Sequence, residues 1–465
     1  MTFDPLIEKI SDYVVDQTSF SMHAKQTSCY AFLDSIGCAM AALKSPYCQQ
    51  FLGPLFTGYS CLKGVPVLGT SFALDPIDAT FNLTSMIRWL DYNDTFLAYE
   101  WGHPSDNLGA ILCCRYYQFQ QTGENFLFSD LLSDLIQAYE IQGLLALKNA
   151  FNQKGLDHVI LVKVATAAVC TRILGGDRDA IRRAVSQAFV DGQALRTYRH
   201  APNTGSRKSW AAADAASRGV FLAQLSIRGE MGYSTVLSTP RWGFCDVYGF
   251  SNGLVLDQDF ACYVMENILF KVRYPAEFHA QTALEMAILL HQKHHHQLHQ
   301  IKRIVIYTQK PAIDIIHKTG PLSNPADRDH CLQYIVAVGL IHGRLKAEYY
   351  HDAAAQHLDI DRLRELMVVR ESVDFSADYL DPKKRSIANS IQLYFSDGSC
   401  SEEAICHYPL GHRNRRDEAL PFLKQKFLDN CDHLNQDSLM ALYRYFDQPE
   451  DFQSYSIQAF FSLFD

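Results

Sequence analysis

Asp91-Tyr-Asn-Asp94-Thr95-Phe-Leu-Ala-Tyr-Glu100-Trp-Gly-His103-Pro-Ser105-Asp106-Asn107 packs four carboxylates, a histidine, a threonine and four aromatics into seventeen residues. The sequence before it predicts a helix over 76–90, and the sequence after it a helix over 108–121. The cluster is therefore a helix end, a loop and a helix start. Pro104 biases His103 towards an extended conformation, and Ser105 has the chemistry of an N-cap. Loops held between rigid helices are common carriers of catalytic groups. A wet, polar capping loop is the other reading these residues allow.

Working outward, the pattern from about residue 3 to 193 is helical nearly throughout, broken by a Gly/Pro-rich connector over 51–76. Its extended piece is expected over 63–70. Ser129 is expected to cap an amphipathic helix reaching Ala150, with Tyr139, Glu140 and Gln142 on its buried face. His158 sits where a small-residue helix begins, and helix N-termini point free N–H groups at nearby anions.

A second polar stretch is Arg196-Thr-Tyr198-Arg199-His200-Ala-Pro-Asn-Thr-Gly-Ser-Arg207-Lys208-Ser-Trp210. No carboxylate occurs from Gly192 through Ala213, in a chain that carries more acids than bases. A solvated basic face and an anion site both fit, and the interleaved Tyr198 and Trp210 favour the second. Beyond Lys271 the pattern changes. Strands are expected over 301–308, 391–395 and 401–408, the last two joined through Asp397-Gly398, with helices over 324–343 and 359–371. From 417 onward the chain reads as helical again.

The chain has 465 residues, 48% of them apolar and 20% charged, which fits an ordinary globular protein of two domains. A net charge of -9 argues against nucleic acid or an anionic membrane surface as partner. No apolar run is long enough to span a bilayer, and the acidic, amphipathic N-terminus points to a cytoplasmic protein. Thirteen cysteines without framework spacing read as reduced core thiols, Cys29, Cys38, Cys170 and Cys262 among them. His291, His295 and His299 would share a helix face. They stand at a polar helix end without carboxylates nearby, so no biological metal site is expected.

No G-x-S-x-G, P-loop, dinucleotide-binding or H-E-x-x-H signature occurs, so the expected chemistry needs no cofactor and no metal. Asp91, Asp94, Thr95 and His103 suit general acid–base work. Arg196, Arg199, Arg207 and Lys208 suit carboxylate binding. Together they fit proton abstraction beside a carboxylate, and dehydration of a hydroxy-polycarboxylate in particular.

Arg88-Trp-Leu-Asp91-Tyr-Asn-Asp-Thr95 followed by Glu100-Trp-Gly-His-Pro-Ser-Asp-Asn-Leu-Gly109 resembles the MmgE/PrpD family. Gly155–Lys163, Leu195–Gly205 with Arg207–Ala212, and Pro321–Cys331 look like its 2-methylcitrate dehydratase branch. The resemblance implies a mainly α protein, with a large helical domain (1–271 and 409–465) and an inserted, smaller α+β domain (272–408). It also implies a homodimer that converts 2-methylcitrate to 2-methyl-cis-aconitate and water in propionate breakdown, without the iron–sulfur cluster that aconitases use.

The site residues it implies are Asp91, Thr95, His103, His158 and Lys208, and a lysine near Lys271. On that basis His103 or His158 removes the proton, with Asp91 orienting it. Tyr198, Arg199, Arg207, Lys208, Lys271 and Arg273 surround the three carboxylates, whose mutual repulsion demands several cations. The sister cis-aconitate decarboxylases look to have a tyrosine near Ile316 or His317, and this chain has none there. The alternatives are a hydratase or dehydratase of citrate or cis-aconitate, a metal-dependent hydratase, and a non-catalytic tricarboxylate-binding protein.

Overall fold

The computed structural model describes residues 2–464 apart from Thr57, Ser60, Leu62 and Ala201. The first three of these four lie in the 51–76 connector and the last in the basic loop. The chain forms two compact units. As the sequence predicts, it is mainly α-helical with small sheets.

The first unit comprises Met1–Arg196, Ser209–Phe270 and Pro421–Asp465. At its centre is the helix Val159–Ile173, mostly apolar or small and buried throughout except for Arg172, its buried Lys163 paired with Asp191. A helix buried on nearly every side must be surrounded, and Phe128–Lys148, Leu108–Thr122 and Arg178–Val190 pack against it. The C-terminal segment closes this unit with aromatic rings. Phe452 and Phe460 meet Phe32 and Phe128 at centroid distances of 4.3 to 5.5 Å. Deeper in, the buried Lys426 ammonium pairs with Asp34 Oδ1 at 2.6 Å and donates to the Tyr92 carbonyl at 2.8 Å. That contact ties the polar loop down one residue after Asp91.

The loop hangs between the helices Pro76–Arg88 and Leu108–Thr122. These touch at Gly109, where a Cβ would fall 2.2 Å from Thr84 Oγ1 and 2.8 Å from Thr84 N. Any side chain there would push the two helices apart. Ser105 does not cap the second helix as expected. It lies inside a 3-10 turn, Pro104–Asn107, and its hydroxyl donates to Asp94 instead. Nor does Ser129 cap the next helix: Phe128–Lys148 starts one residue earlier, at an N-cap Leu127 that makes no side-chain cap bond. In the connector the extended piece is short. Two-residue strands β1 (Val65–Pro66) and β2 (Ala73–Leu74) pair antiparallel.

The second unit comprises Thr197–Lys208 and Lys271–Leu420. It is built on a four-stranded sheet of β3 (Ile301–Thr308), β4 (Met367–Glu371), β5 (Asn389–Phe395) and β6 (Ala404–Cys406), in the order β4-β3-β5-β6. β4 runs parallel to β3, β5 antiparallel to it, and β5–β6 is the expected hairpin, with Asp397 bonding Ser399 in the turn. β6 is shorter than predicted.

Two expected helices are different. The helix predicted over 359–371 stops at Glu365, because Met367-Val-Val-Arg-Glu finds a ladder on the open edge of β3. β-branched residues beside an unpaired edge favour the strand. The helix predicted over 324–343 is two helices, Pro325–Arg328 and Leu332–His342. Between them, Asp329 turns its carboxylate to other partners.

The histidine run does not stay on one helix. The helix Gln281–His294 passes into a 3-10 segment, His295–Gln300, with non-helical angles at Gln297. His291 Nδ1 hydrogen-bonds the Leu340 carbonyl at 2.8 Å. Among the described residues, no three His, Cys, Asp or Glu side chains converge as a metal ion requires. All thirteen cysteines are free thiols. Most are buried, though Cys262 is half-exposed rather than in the core. No described helix is long and apolar enough to cross a membrane.

Candidate functional site

The first unit brings Asp91, Thr95, His103 and His158 into one polar knot, and the residue that ties it is Arg88. The helix Pro76–Arg88 ends in a turn that leaves Asp91 at φ +49°. Aspartate tolerates this left-handed region better than most residues. The turn swings its carboxylate back onto Arg88, whose Nη1 donates to Asp91 Oδ1 at 2.6 Å. The other arm of the guanidinium, Nη2, lies 3.0 Å from His103 Nε2. Both side chains of the ion pair are 3% exposed.

The partners of His103 fix its tautomer. Its Nδ1 is 2.6 Å from the Asp94 carbonyl, which can only accept, so Nδ1 carries the proton. Arginine can only donate, so Nε2 presents its lone pair to Arg88. Thr95 Oγ1 stands 3.1 Å from the same Nδ1. Asp91 Oδ1 is 3.9 Å from His103 Nε2, so Asp91 acts on the imidazole through Arg88 rather than by direct contact.

Asp94 is the buried anchor beneath. Ser105 donates to its Oδ1 from the hydroxyl at 2.6 Å and the backbone at 3.2 Å, and the Tyr139 hydroxyl donates to Oδ2 at 2.6 Å. Burial pushes its pKa up to about 6, against the pull of the Ser105 and Tyr139 hydrogen bonds. Burial, and then the Asp94 charge, push the Tyr139 phenol well above its ordinary range. Asn93 Nδ2 links Ser105 Oγ and Asp106 Oδ1 at 2.9 and 3.1 Å.

His158 is the N-cap residue of the Val159–Ile173 helix, and its ring lies 5.8 Å from that of His103. Asp157 Oδ1 is 3.4 Å from His158 Nδ1. A small cavity beside the imidazole is lined by Phe96, Trp101, Gly102, Gln142 and Leu161 among others. Gly102 is a close fit there. A Cβ on it would lie 3.1 Å from Gln142 Nε2 and 3.3 Å from His158 Cδ2.

The second unit gathers a separate set of charges. The rings and guanidiniums of the basic loop stack, with Arg199 Cζ 5.2 Å and Arg207 Cζ 5.7 Å from the Tyr198 ring centre. Such contacts keep cations in place at little desolvation cost. Lys208 Nζ pairs with Asp329 Oδ2 at 2.6 Å, and Asp329 Oδ1 accepts from His330 Nδ1 at 2.6 Å. Nearby, Lys318 Nζ meets Asp327 Oδ1 at 2.7 Å and Thr204 Oγ1 at 3.3 Å. Lys271 is buried in the same unit, while Arg273 is exposed beside Tyr274. Arg196 belongs to the first unit, over Trp101 and 3.8 to 3.9 Å from Asp157 and Glu100.

Sequence reasoning missed Arg88, Asp157, Asp329 and His330 as parts of these clusters. Arg88 sat at the C-terminal end of a predicted helix, where a basic residue is unremarkable. Periodicity alone runs one helix through Asp329 and His330.

Family models of the MmgE/PrpD N-terminal domain and the MmgE/PrpD C-terminal domain match residues 8–256 and 274–441. The chain belongs to the MmgE/PrpD family. It is 49% identical to the 2-methylcitrate dehydratase of Escherichia coli strain K12 over 435 residues, which is 92% of this chain and 90% of that protein. It is 48% identical to the mitochondrial 2-methylcitrate dehydratase of Yarrowia lipolytica, across 91% and 83% of the two chains. A 2-methylcitrate dehydratase-like protein, oryR, of Aspergillus oryzae is 39% identical across the whole chain and 96% of its own length. In this MmgE/PrpD chain, Arg88, Asp91 and His103 all fall within the N-terminal domain match, as does His158.

Proposed function

We propose that this chain is a hydro-lyase that eliminates water from 2-methylcitrate to give 2-methyl-cis-aconitate. The likeness to 2-methylcitrate dehydratases over about nine-tenths of the chain supports the substrate. The observation that carries the chemistry is the pair of imidazoles 5.8 Å apart, His103 hydrogen-bonded at both nitrogens and His158 with the Asp157 carboxylate 3.4 Å from its Nδ1.

His158, with Asp157 behind its Nδ1, is the base that takes the proton from the carbon next to a carboxylate. The electrons of that C–H bond form the double bond as the neighbouring C–O bond breaks, and the hydroxyl leaves as water with a proton from another group of the set. A carboxylate behind an imidazole stabilises the imidazolium that forms. His103 is less suited to that step, because its lone pair is directed at Arg88. Thr95 and the Arg88–Asp91 pair keep the His103 ring in register. Lys208, Arg199, Arg207, Lys271 and Arg273 receive the carboxylates, one of which gathers negative charge as the proton leaves. Tyr198 holds two of these guanidiniums in place. The proposal extends to a homodimer working in the cytoplasm on a small tricarboxylate, as the family resemblance implies.

The test is direct. Purified protein is given 2-methylcitrate and citrate in parallel, and the conjugated product is followed by ultraviolet absorbance. Faster turnover of 2-methylcitrate supports the proposal. Preference for citrate would move the assignment to an aconitase-like reaction, and tight binding of either without turnover would make this a tricarboxylate-binding protein.

A further inference from the structure

One carboxylate in the second unit is shared between a lysine and a histidine. Asp329 stands at the break between the helices Pro325–Arg328 and Leu332–His342, and each oxygen has its own partner. His330 Nδ1 holds Oδ1 and Lys208 Nζ holds Oδ2, both at 2.6 Å. Lys208 is 3% exposed. An ammonium has three N–H donors, and Asp329 is the one side-chain partner of Lys208 among the described residues. A buried cation with two donors left is a site for further oxygen acceptors.

We propose that Asp329 is a positioning residue for the dehydration, acting through Lys208. The inference rests on the proposed function and adds to it a residue to which the sequence assigned no role, although Asp329 lies in the Pro321–Cys331 stretch. His330 fixes the carboxylate, the carboxylate fixes the ammonium, and the two remaining N–H groups are aimed at an oxyanion of the substrate. The pair is also neutral overall. Asp329 therefore weakens the pull of Lys208 on a trianion while setting its direction. Without that charge, Lys208 would attract the substrate more strongly and hold it less well, so binding and turnover should change in opposite senses.

The test compares the parent with Asp329→Asn, Lys208→Met and the double variant, by steady-state kinetics on 2-methylcitrate and by thermal-shift titration with citrate. Asp329→Asn should lower kcat at least tenfold with KM unchanged or lower, and should bind citrate at least as tightly as the parent. In the Lys208→Met background, Asp329→Asn should change kcat by less than twofold, because residues that act as a unit are non-additive. The double variant removes both charges of the pair together, so it stays informative where Asp329→Asn alone fails to fold. A folded Asp329→Asn protein with any other pattern overturns the inference, as does a further loss of twofold or more in the Lys208→Met background. A parent without activity on 2-methylcitrate would instead overturn the functional proposal, and the citrate titration separates the two failures.

Discussion

Arg88 is the residue on which the geometry of the first unit most depends, and its replacement by methionine has a calculable cost. Arg88 and Asp91 form an ion pair 2.6 Å long with both side chains 3% exposed. Removing one partner of a buried pair typically costs roughly 3–5 kcal/mol, because the other charge remains desolvated. Arg88→Met should therefore destabilise the protein by about that much. Asp91→Asn should cost less, since Arg88 still has His103 and Asn93 to donate to. The double variant removes both charges at once and should fall short of the sum by at least about 2 kcal/mol, roughly 30-fold in the unfolding equilibrium. Urea titrations followed by tryptophan fluorescence would report it, since Trp89 and Trp101 lie on either side of Asp91 and close to it in sequence. Additivity within about 0.5 kcal/mol would mean that the pair is not coupled and that Asp91 is held by something else.

Two further outcomes follow from the same loop. Asp94 has its pKa raised from 3.8 to about 6, so its proton favours the folded state below about pH 4, and that contribution is lost as pH rises through 6. The shift of 6 − 3.8, or about 2 units, is worth roughly 3 kcal/mol. The stability of the parent minus that of Asp94→Asn should fall by about this much between pH 4 and pH 7 in denaturant titrations, and a flat difference would contradict the buried-carboxylate reading. Gly102→Ala places a methyl 3.3 Å from His158 Cδ2. Because small displacements of catalytic groups are expensive, kcat should drop about tenfold with the melting temperature little changed. An unaltered kcat would remove His158 from the proton-transfer step.

What was legible in the sequence was the part written locally. The helices on either side of the polar loop lie within two residues of expectation, and the structure shows Asp75 capping the first of them. β3 and the β5–β6 hairpin were equally readable, one from alternation and the other from Asp397-Gly398. The density of carboxylates and histidine around residues 91–107 marked the loop that folds into the buried polar knot. What it did not disclose was the division of labour within it. Ser105 has the composition of a cap, yet a buried Asp94 carboxylate outbids the orphan N–H groups at the helix start for its hydroxyl.

Asp329 shows the same limit more sharply. Asn324 and Pro325 start a helix, and Leu332 to Leu340 continue in apolar residues, so periodicity alone runs one helix through the gap. The break is stabilised by contacts that have no local signature. One is with Lys208, 121 positions away in the chain. Another is the hydrogen bond from the Glu277 amide to the Asp329 carbonyl. A charge-assisted hydrogen bond of the Lys208 kind contributes about 1.5–3 kcal/mol. Interrupting a helix for two or three residues costs only a few tenths to about 1 kcal/mol per residue in propensity. The tertiary contacts win, and the chain gives up a turn of helix to present a carboxylate. Where a helix is interrupted by residues that are neither glycine nor proline, the cause has to be sought among distant partners, and here those partners are the Lys208 ammonium and the Glu277 amide.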